Sequence, residues 1–240
     1  VLTIDLEKLS LEPGNRVLDL GCGDGRHSRA LGMLEGVSVV AADIGQEEIA
    51  RTAHSLAGME PGLDSDRPAG PWMALRASAY ELPFSDESFD CVILSEVLEH
   101  LHEDRRALAE IGRVLKPGGT LALSVPREGP EAVCWALSHE YRNSPGGHVR
   151  IYRRRKLERM INESGYEVFA SHFAHALHTP FWWLKCLVGP SREGFIPVEL
   201  YHKLLVWDLM KRPWITRLAE DLLNPFLGKS VVFYATKAAT

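Results

Sequence analysis

The chain has 240 residues, enough to bury one substantial core and near the upper end for a single α/β domain. Hydrophobic residues make up 45% and charged residues 25%, and a formal net charge of −5 leaves no general electrostatic footprint for nucleic acid. Cys22, Cys91, Cys134 and Cys186 are far apart and form no C-x-x-C pair, so neither a disulfide framework nor a zinc site is expected, and a reducing cytoplasm fits.

Leu6, Leu9 and Leu11 predict a short helix or extended lead-in covering one edge, and Pro13-Gly14 a turn into the first strand. The opening VLTIDLEKLSLEPG has no basic region followed by an apolar block, so no secretion signal is expected. Arg16 to Gly25, reading RVLDLGCGDG, then dominates the first half. Val17, Leu18 and Leu20 suit a buried parallel strand, while Gly21, Gly23 and Gly25 permit turns and close ligand approach that a Cβ would block. Asp24 is the expected N-cap of a helix over about Arg26 to Leu34, whose free N–H groups would face the same turn. Gly36 ends that helix before a second strand, Val37 to Ala42. Asp43, about 20 residues past the glycines, stands where a βαβ unit brings an acid beside a ribose, able to accept from both hydroxyls. It can equally cap the next helix, Gln46 to Leu56.

Gly58 to Pro71 reads as a mobile surface loop and Met73 to Ala77 as a third strand. Cys91 to Leu94 is a continuous apolar run and hence a central strand, so Ser95 and Glu96 beyond its carboxyl end should face any ligand. The following helix places Leu108, Ile111, Val114 and Leu115 on one face and Glu103, Asp104, Arg105 and Arg106 toward solvent. LKPGG ends it before a fifth strand, Thr120 to Val125. Two more helices are expected, over Glu131 to Tyr141 and about Arg153 to Ser164, with a turn at Pro145-Gly146-Gly147 between them. The last strands are Tyr166 to Ser171 and Ser230 to Thr236. Residues 174–229 are apolar on several helix faces and need something to cover them. They read as a lid or substrate wall in contact with a hydrophobic substrate or membrane surface, with extra core or a dimer interface as alternatives.

A dinucleotide fingerprint would need its third glycine at Arg26, which counts against NAD. Four segments fit another pattern: G-x-G-x-G after Asp19, Ser78 to Phe84 followed by Ser88-Phe89-Asp90, Ser95 to Leu101, and the turn Leu115 to Gly119. In order and spacing they resemble the motifs of the class I S-adenosylmethionine-dependent methyltransferases, in the type 11-like branch that acts on small or lipid-like acceptors. The resemblance covers about Leu6 to Phe173 plus the last strand. It implies an α/β fold: a Rossmann-like, seven-stranded, mostly parallel sheet with helices on both faces, the last strand antiparallel between the fifth and sixth. One domain would span 1–240, with 174–229 a helical insertion before the last strand. S-adenosyl-L-methionine is the implied cofactor. Asp19, Gly21, Cys22 and Gly23 would hold its methionine part, Asp43 and Ile44 the ribose, Ser78 and Ala79 the adenine, and Ser95 with Glu96 the region near the sulfur. Tyr80 either stacks near the cofactor or packs structurally. Ser78 replaces the family's usual Asp, so its adenine contact lacks charge assistance.

A sulfonium methyl is already activated, so the protein's main task is to hold the acceptor atom in line and exclude water. A base is needed only where the acceptor must lose a proton. His100 and His148 are the candidate bases, with Glu99 able to orient one of them; histidines satisfied by local hydrogen bonds are the plainer alternative. No metal is expected, because His172, His175 and His178 share no face in a strand or in a helix. Tyr152 and Lys156 match the Tyr-x-x-x-Lys of short-chain dehydrogenases, without that family's glycine loop. Arg150, Arg153, Arg154, Arg155, Lys156 and Arg159 form a solvated basic face or meet an anionic group. The expected activity is methyl transfer to a small-molecule, hydrophobic or lipid-like acceptor by a cytoplasmic monomer or homodimer, with peripheral membrane contact as an option. No Asn/Asp-Pro-Pro-Tyr follows the fourth strand, which argues against nucleic-acid bases as substrates. The alternatives are an NAD-linked oxidoreductase and a non-catalytic, cofactor-binding or membrane-associated regulatory module.

Overall fold

A computed structural model describes residues 2–59, 70–211 and 213–238. The loop expected between Gly58 and Pro71 falls for the most part outside these residues. Seven strands form one sheet: β1 (Arg16–Leu20), β2 (Ser38–Asp43), β3 (Trp72–Arg76), β4 (Phe89–Ser95), β5 (Leu115–Pro126), β6 (Tyr166–Ala174) and β7 (Ser230–Lys237). Their order is β3-β2-β1-β4-β5-β7-β6, with β7 antiparallel to both neighbours and the other pairs parallel. This is the arrangement the resemblance implied.

Alternation along the strands divides the core in two. Leu18, Leu20, Val92, Leu94, Leu121 and Leu123 point to one face, where α3 (Asp104–Val114) and α6 (Arg154–Glu163) cover them through Leu108, Ile111, Leu157 and Ile161. Val17, Val39, Ile93 and Tyr234 point to the other, beneath α1 (Arg26–Gly32) and the N-terminal residues Ile4 and Leu9. His27 ties that N-terminal segment to α1, its Nε2 accepting from Thr3 N and Ile4 N. α2 (Gln46–Ala57) packs beside β2 and β3.

Two boundaries differ from expectation. Strand β5 already begins at Leu115, so Lys116 to Gly119 is an irregularity within a strand and not a turn before one. Asp90 anchors it through Lys116 Nζ at 2.6 Å, and a Cβ on Gly119 would lie 2.9 Å from Asp90 O. The helix expected over Glu131 to Tyr141 is two, α4 (Glu128–Leu137) and α5 (His139–Arg142), broken at Ser138 because its side chain accepts from Tyr141 N and caps a fresh helix start.

Between β6 and β7 run α7 (His178–Val188), α8 (Ile196–Lys211) and α9 (Trp214–Leu227). α7 rests on α4 and α9 on β6; Asp208 clasps α8 to α9 by accepting from Arg217 Nη2 at 2.9 Å and from Thr216. Leu200, Leu204, Trp207, Trp214, Leu222 and Phe226 stay exposed. Among the described residues no helix is long and apolar enough to cross a membrane. The carboxyl ends of β1, β2, β4, β5 and β6 share one edge of the sheet with the start of β7. The functional candidates gather there.

Candidate active site

After β1 the chain turns through Gly21, Gly23 and Gly25 at φ 71°, 53° and 73°. Two of these glycines serve close packing. A Cβ on Gly21 would lie 2.3 Å from Val97 Cγ2, and one on Gly25 2.7 Å from Thr52 Oγ1. At Gly23 a Cβ would meet nothing within 4 Å, and this residue lines a cleft of about 520 Å³. An open glycine face on a cleft wall lets a ligand approach the backbone closely.

Asp43 stands across from it, accepting from Gly23 N at 3.0 Å and Gly45 N at 2.9 Å, one bond on each oxygen. Each oxygen keeps a lone pair for a hydroxyl, which suits a ribose. Ile44 is 65% exposed and offers an apolar rim to the same cleft, and Ser78, Ala79 and Tyr80 continue its wall. Ser78 Oγ accepts from Tyr80 N at 3.2 Å, closing the turn and leaving its own proton to donate. Tyr80 lines the cleft and is also held structurally: its hydroxyl accepts from Glu103 N and Arg106 lies 5.3 Å from its ring centroid. Glu96 and His100 complete the cleft. Volume, an acidic ribose partner and an open glycine together fit an adenosyl compound.

Three residues expected at the cofactor do not line this cleft. Asp19 is buried and accepts from Ser28 N at 2.9 Å and Ser28 Oγ at 2.5 Å, so it caps α1 from a distance. Burial pushes its carboxyl up to about 6 despite those bonds. Asp24, the expected cap, is instead exposed and paired with Arg51 at 2.7 Å, and Gly25 occupies the cap position. Cys22 turns away to Thr52, with Sγ 3.8 Å from its Oγ1, and burial pushes the thiol up to about 12. Ser95 Oγ bonds Ser124 Oγ at 3.0 Å, and Ser124 donates to Glu96 Oε1 at 2.8 Å. Glu96 itself adopts φ 57°, a left-handed backbone uncommon for a non-glycine residue and characteristic of functional corners.

His100 and His148 come together, ring centroids 5.0 Å apart. Each is held through Nδ1: His148 by Glu131 Oε1 at 2.6 Å, His100 by Gly147 O at 3.2 Å. These acceptors make Nδ1 the donor on each ring and leave each Nε2 facing the corner between them. The Nε2 atoms lie 3.9 and 4.0 Å from Glu99 Oε1. Glu99 is 1% exposed and, among the described residues, neither of its oxygens has a hydrogen-bond partner. Burial and then the Glu96 charge push its carboxyl well above the usual range. Glu131 escaped the sequence reading: it accepts from His148, from Trp135 Nε1 at 3.0 Å and from Tyr141 OH at 3.3 Å. Burial raises its carboxyl, but the His148 bond and the Lys229 charge carry it below the usual range. A lone acid inside the apolar run Pro130 to Leu137 was the available signal.

The second histidine group departs from expectation only in part: His172 stands apart from the other two, as strand spacing implies, but His175 and His178 meet. His175 and His178 have ring centroids 5.3 Å apart and join Glu220, because the chain leaves β6 through His175 at φ 66° and obeys neither strand nor helix spacing there. His172 stacks on Tyr234 instead. Asp104 is not on a solvated face: it accepts from Tyr152 OH at 2.8 Å and from Arg150. The basic cluster is dispersed, with Arg153 on Glu128 at 2.9 Å and Arg154 on Ser171 Oγ at 2.8 Å.

Residues 3–171 match the methyltransferase domain family. An O-methyltransferase of Aspergillus nomiae is 34% identical over 118 residues, 49% of this chain and 49% of the relative. An O-methyltransferase of Aspergillus sclerotiorum is 30% identical over 164 residues, 67% of this chain and 58% of the relative. The chain thus spans about half the length of the curated relatives it matches. A SAM-dependent methyltransferase structure from Methanosarcina mazei aligns over 100% of both chains with a TM-score of 0.64 at 18% identity, a likeness of fold. A match over that much of the chain, set on this sheet and this cleft, makes the protein a member of the methyltransferase domain family.

Proposed function

We propose that the protein transfers the methyl group of S-adenosyl-L-methionine to a hydroxyl oxygen of a small, hydrophobic acceptor. One observation carries this reading: His100 lines the adenosyl cleft and also meets His148, so two free imidazole nitrogens stand where an acceptor would enter. The cofactor supplies an activated methyl on sulfur. An acceptor hydroxyl held in line with that methyl would take it up as sulfur leaves with the C–S electron pair, and its proton would pass to the Nε2 side of this histidine corner. Asp43 and the Gly23 backbone hold the adenosyl end, fixing the line along which the acceptor oxygen must approach.

The apolar character of the acceptor is supported by a second cavity of about 520 Å³ on the same sheet edge, lined by Tyr152, Phe173, Trp183 and Phe226 among others. An oxygen acceptor is supported by the names of the two fungal relatives. The test is incubation with methyl-labelled cofactor and a panel of phenols, quinols, aliphatic alcohols, amines and carbon acids. Labelled methyl ethers from apolar hydroxyl compounds are expected; label appearing only on nitrogen or carbon would contradict the proposal.

A further inference from the structure

The corner formed by Glu99, His100 and His148 is unfinished as a hydrogen-bonded structure. A carboxyl group with both oxygens buried and, among the described residues, unpartnered is costly to hold, and the two imidazole Nε2 atoms face it from about 4 Å, too far to hydrogen-bond it. At 3.9 and 4.0 Å from Glu99 Oε1, neither Nε2 makes a hydrogen bond to it. Three ligand atoms, one from each residue, lie within 4.8 Å of one another. A cation that drew the donors in by a few tenths of an ångström, to the usual separation of about 2.0–2.2 Å, would satisfy all three at once.

The surroundings are those of a metal site. Each histidine donates its other nitrogen to an oxygen, His148 to a carboxylate and His100 to a backbone carbonyl, which fixes the tautomer and aims Nε2 inward. The loop bearing His148 is pinned to the Glu99 backbone by Val149 N donating to Glu99 O at 2.9 Å. The electrostatics also suit a cation, because Glu96 and Glu131 both act on Glu99 as negative charges, with Lys229 the opposing positive one. The other histidine group, His175, His178 and Glu220, lacks this character: Arg26 and Lys229 both act on its histidines as positive charges.

We propose that Glu99, His100 and His148 bind one divalent transition-metal cation. Two imidazoles and a carboxylate favour zinc, manganese, iron or cobalt over magnesium or calcium, and three protein ligands leave positions open for an outside oxygen. His100 also lines the cofactor cleft, so the open side serves an acceptor that offers a hydroxyl, or a hydroxyl beside a second oxygen. With both Nε2 lone pairs on the cation the histidines no longer take the proton themselves, as they would without it; binding the hydroxyl oxygen to the cation instead eases loss of its proton to solvent water, leaving the oxygen to attack the methyl carbon. This last step rests on the methyl-transfer reading; cation binding does not.

The test uses chelator-treated protein titrated with MnCl2 and with ZnCl2 by calorimetry, and the melting temperature recorded with and without each cation. One equivalent is expected to bind. Glu99→Gln should weaken binding at least about 100-fold, because a neutral amide is a poor metal ligand, yet melt close to wild type without cation, since it matches in shape the neutral carboxyl that burial favours. His100→Gln, at a more exposed position, serves if Glu99→Gln fails to fold. Glu131→Gln should cost about 10–100-fold, the usual loss when a histidine ligand's outer partner is removed. Failure to bind either cation at millimolar concentration, or equal binding by wild type and Glu99→Gln, overturns the site. S-adenosyl-L-methionine titrated in parallel reports separately on the cofactor reading.

Discussion

Gly23 and Gly21 are two residues apart, both left-handed, and have different jobs. An alanine at Gly23 has space for its methyl and is expected to lose only about 1–2 kcal/mol of stability from the left-handed backbone. Its affinity for S-adenosyl-L-methionine should fall at least tenfold, because the methyl occupies the ligand's side of the cleft. The same change at Gly21 drives a methyl to 2.3 Å from Val97 and should destabilise the fold before binding is reached. Thermal melts with and without cofactor separate the two; equal behaviour of both variants would contradict the assignment. At this scale the placement of Asp43, Ile44, Ser78, Ala79, Tyr80, Glu96 and His100 along one cleft was legible, because a βα turn or a strand's end announces where a side chain stands. Cys22 and Ser95 were not. They sit on the same turns, but which way each side chain swings was decided by distant partners, Thr52 and Ser124, that no local pattern names.

Helix α1 owes its start to a strand residue. Asp19 reaches Ser28 from β1, so the element is capped across nine positions of sequence and joined to the sheet by the same bond. Because burial raises the folded carboxyl from 3.8 to about 6, the native state binds the proton more tightly than the unfolded chain. Asp19 therefore costs stability progressively as pH rises from about 4 to about 6, by up to about 3 kcal/mol, and the cost is constant above. Asparagine at 19 keeps the acceptor and drops the charge. The Asp19→Asn variant should gain on wild type across that window in urea unfolding; a stability difference independent of pH would contradict this account. Such tertiary caps explain why Asp24 was the wrong reading from sequence: the local residue was plausible, and the nonlocal one was better buried. The break at Ser138 and the turn at His175 were hidden for a related reason, since each interrupts a periodic stretch with a single residue's backbone.

For the whole molecule, strand number and the placement of β7 followed from a resemblance, and the sheet bears them out. Periodicity alone could not have ordered β7 between β5 and β6, because register across a sheet is set by packing on both faces. The insertion α7–α9 was legible as apolar helices, while its contribution to the site depended on Glu131 and Lys229 coming together from far-apart segments. What unites these levels is one claim, that the carboxyl edge of the sheet binds an adenosyl methyl donor between Gly23 and Asp43. The most direct measurement is thermal stability against S-adenosyl-L-methionine concentration for wild type and Asp43→Ala, with NAD as control. Ligand at about 100 times its dissociation constant contributes about 2.7 kcal/mol, a rise of about 5–10 °C for a chain of this size. Wild type should show that rise with S-adenosyl-L-methionine and not with NAD, and Asp43→Ala should need at least tenfold more ligand to match it. A rise with NAD alone, or identical curves for the two proteins, would contradict the claim.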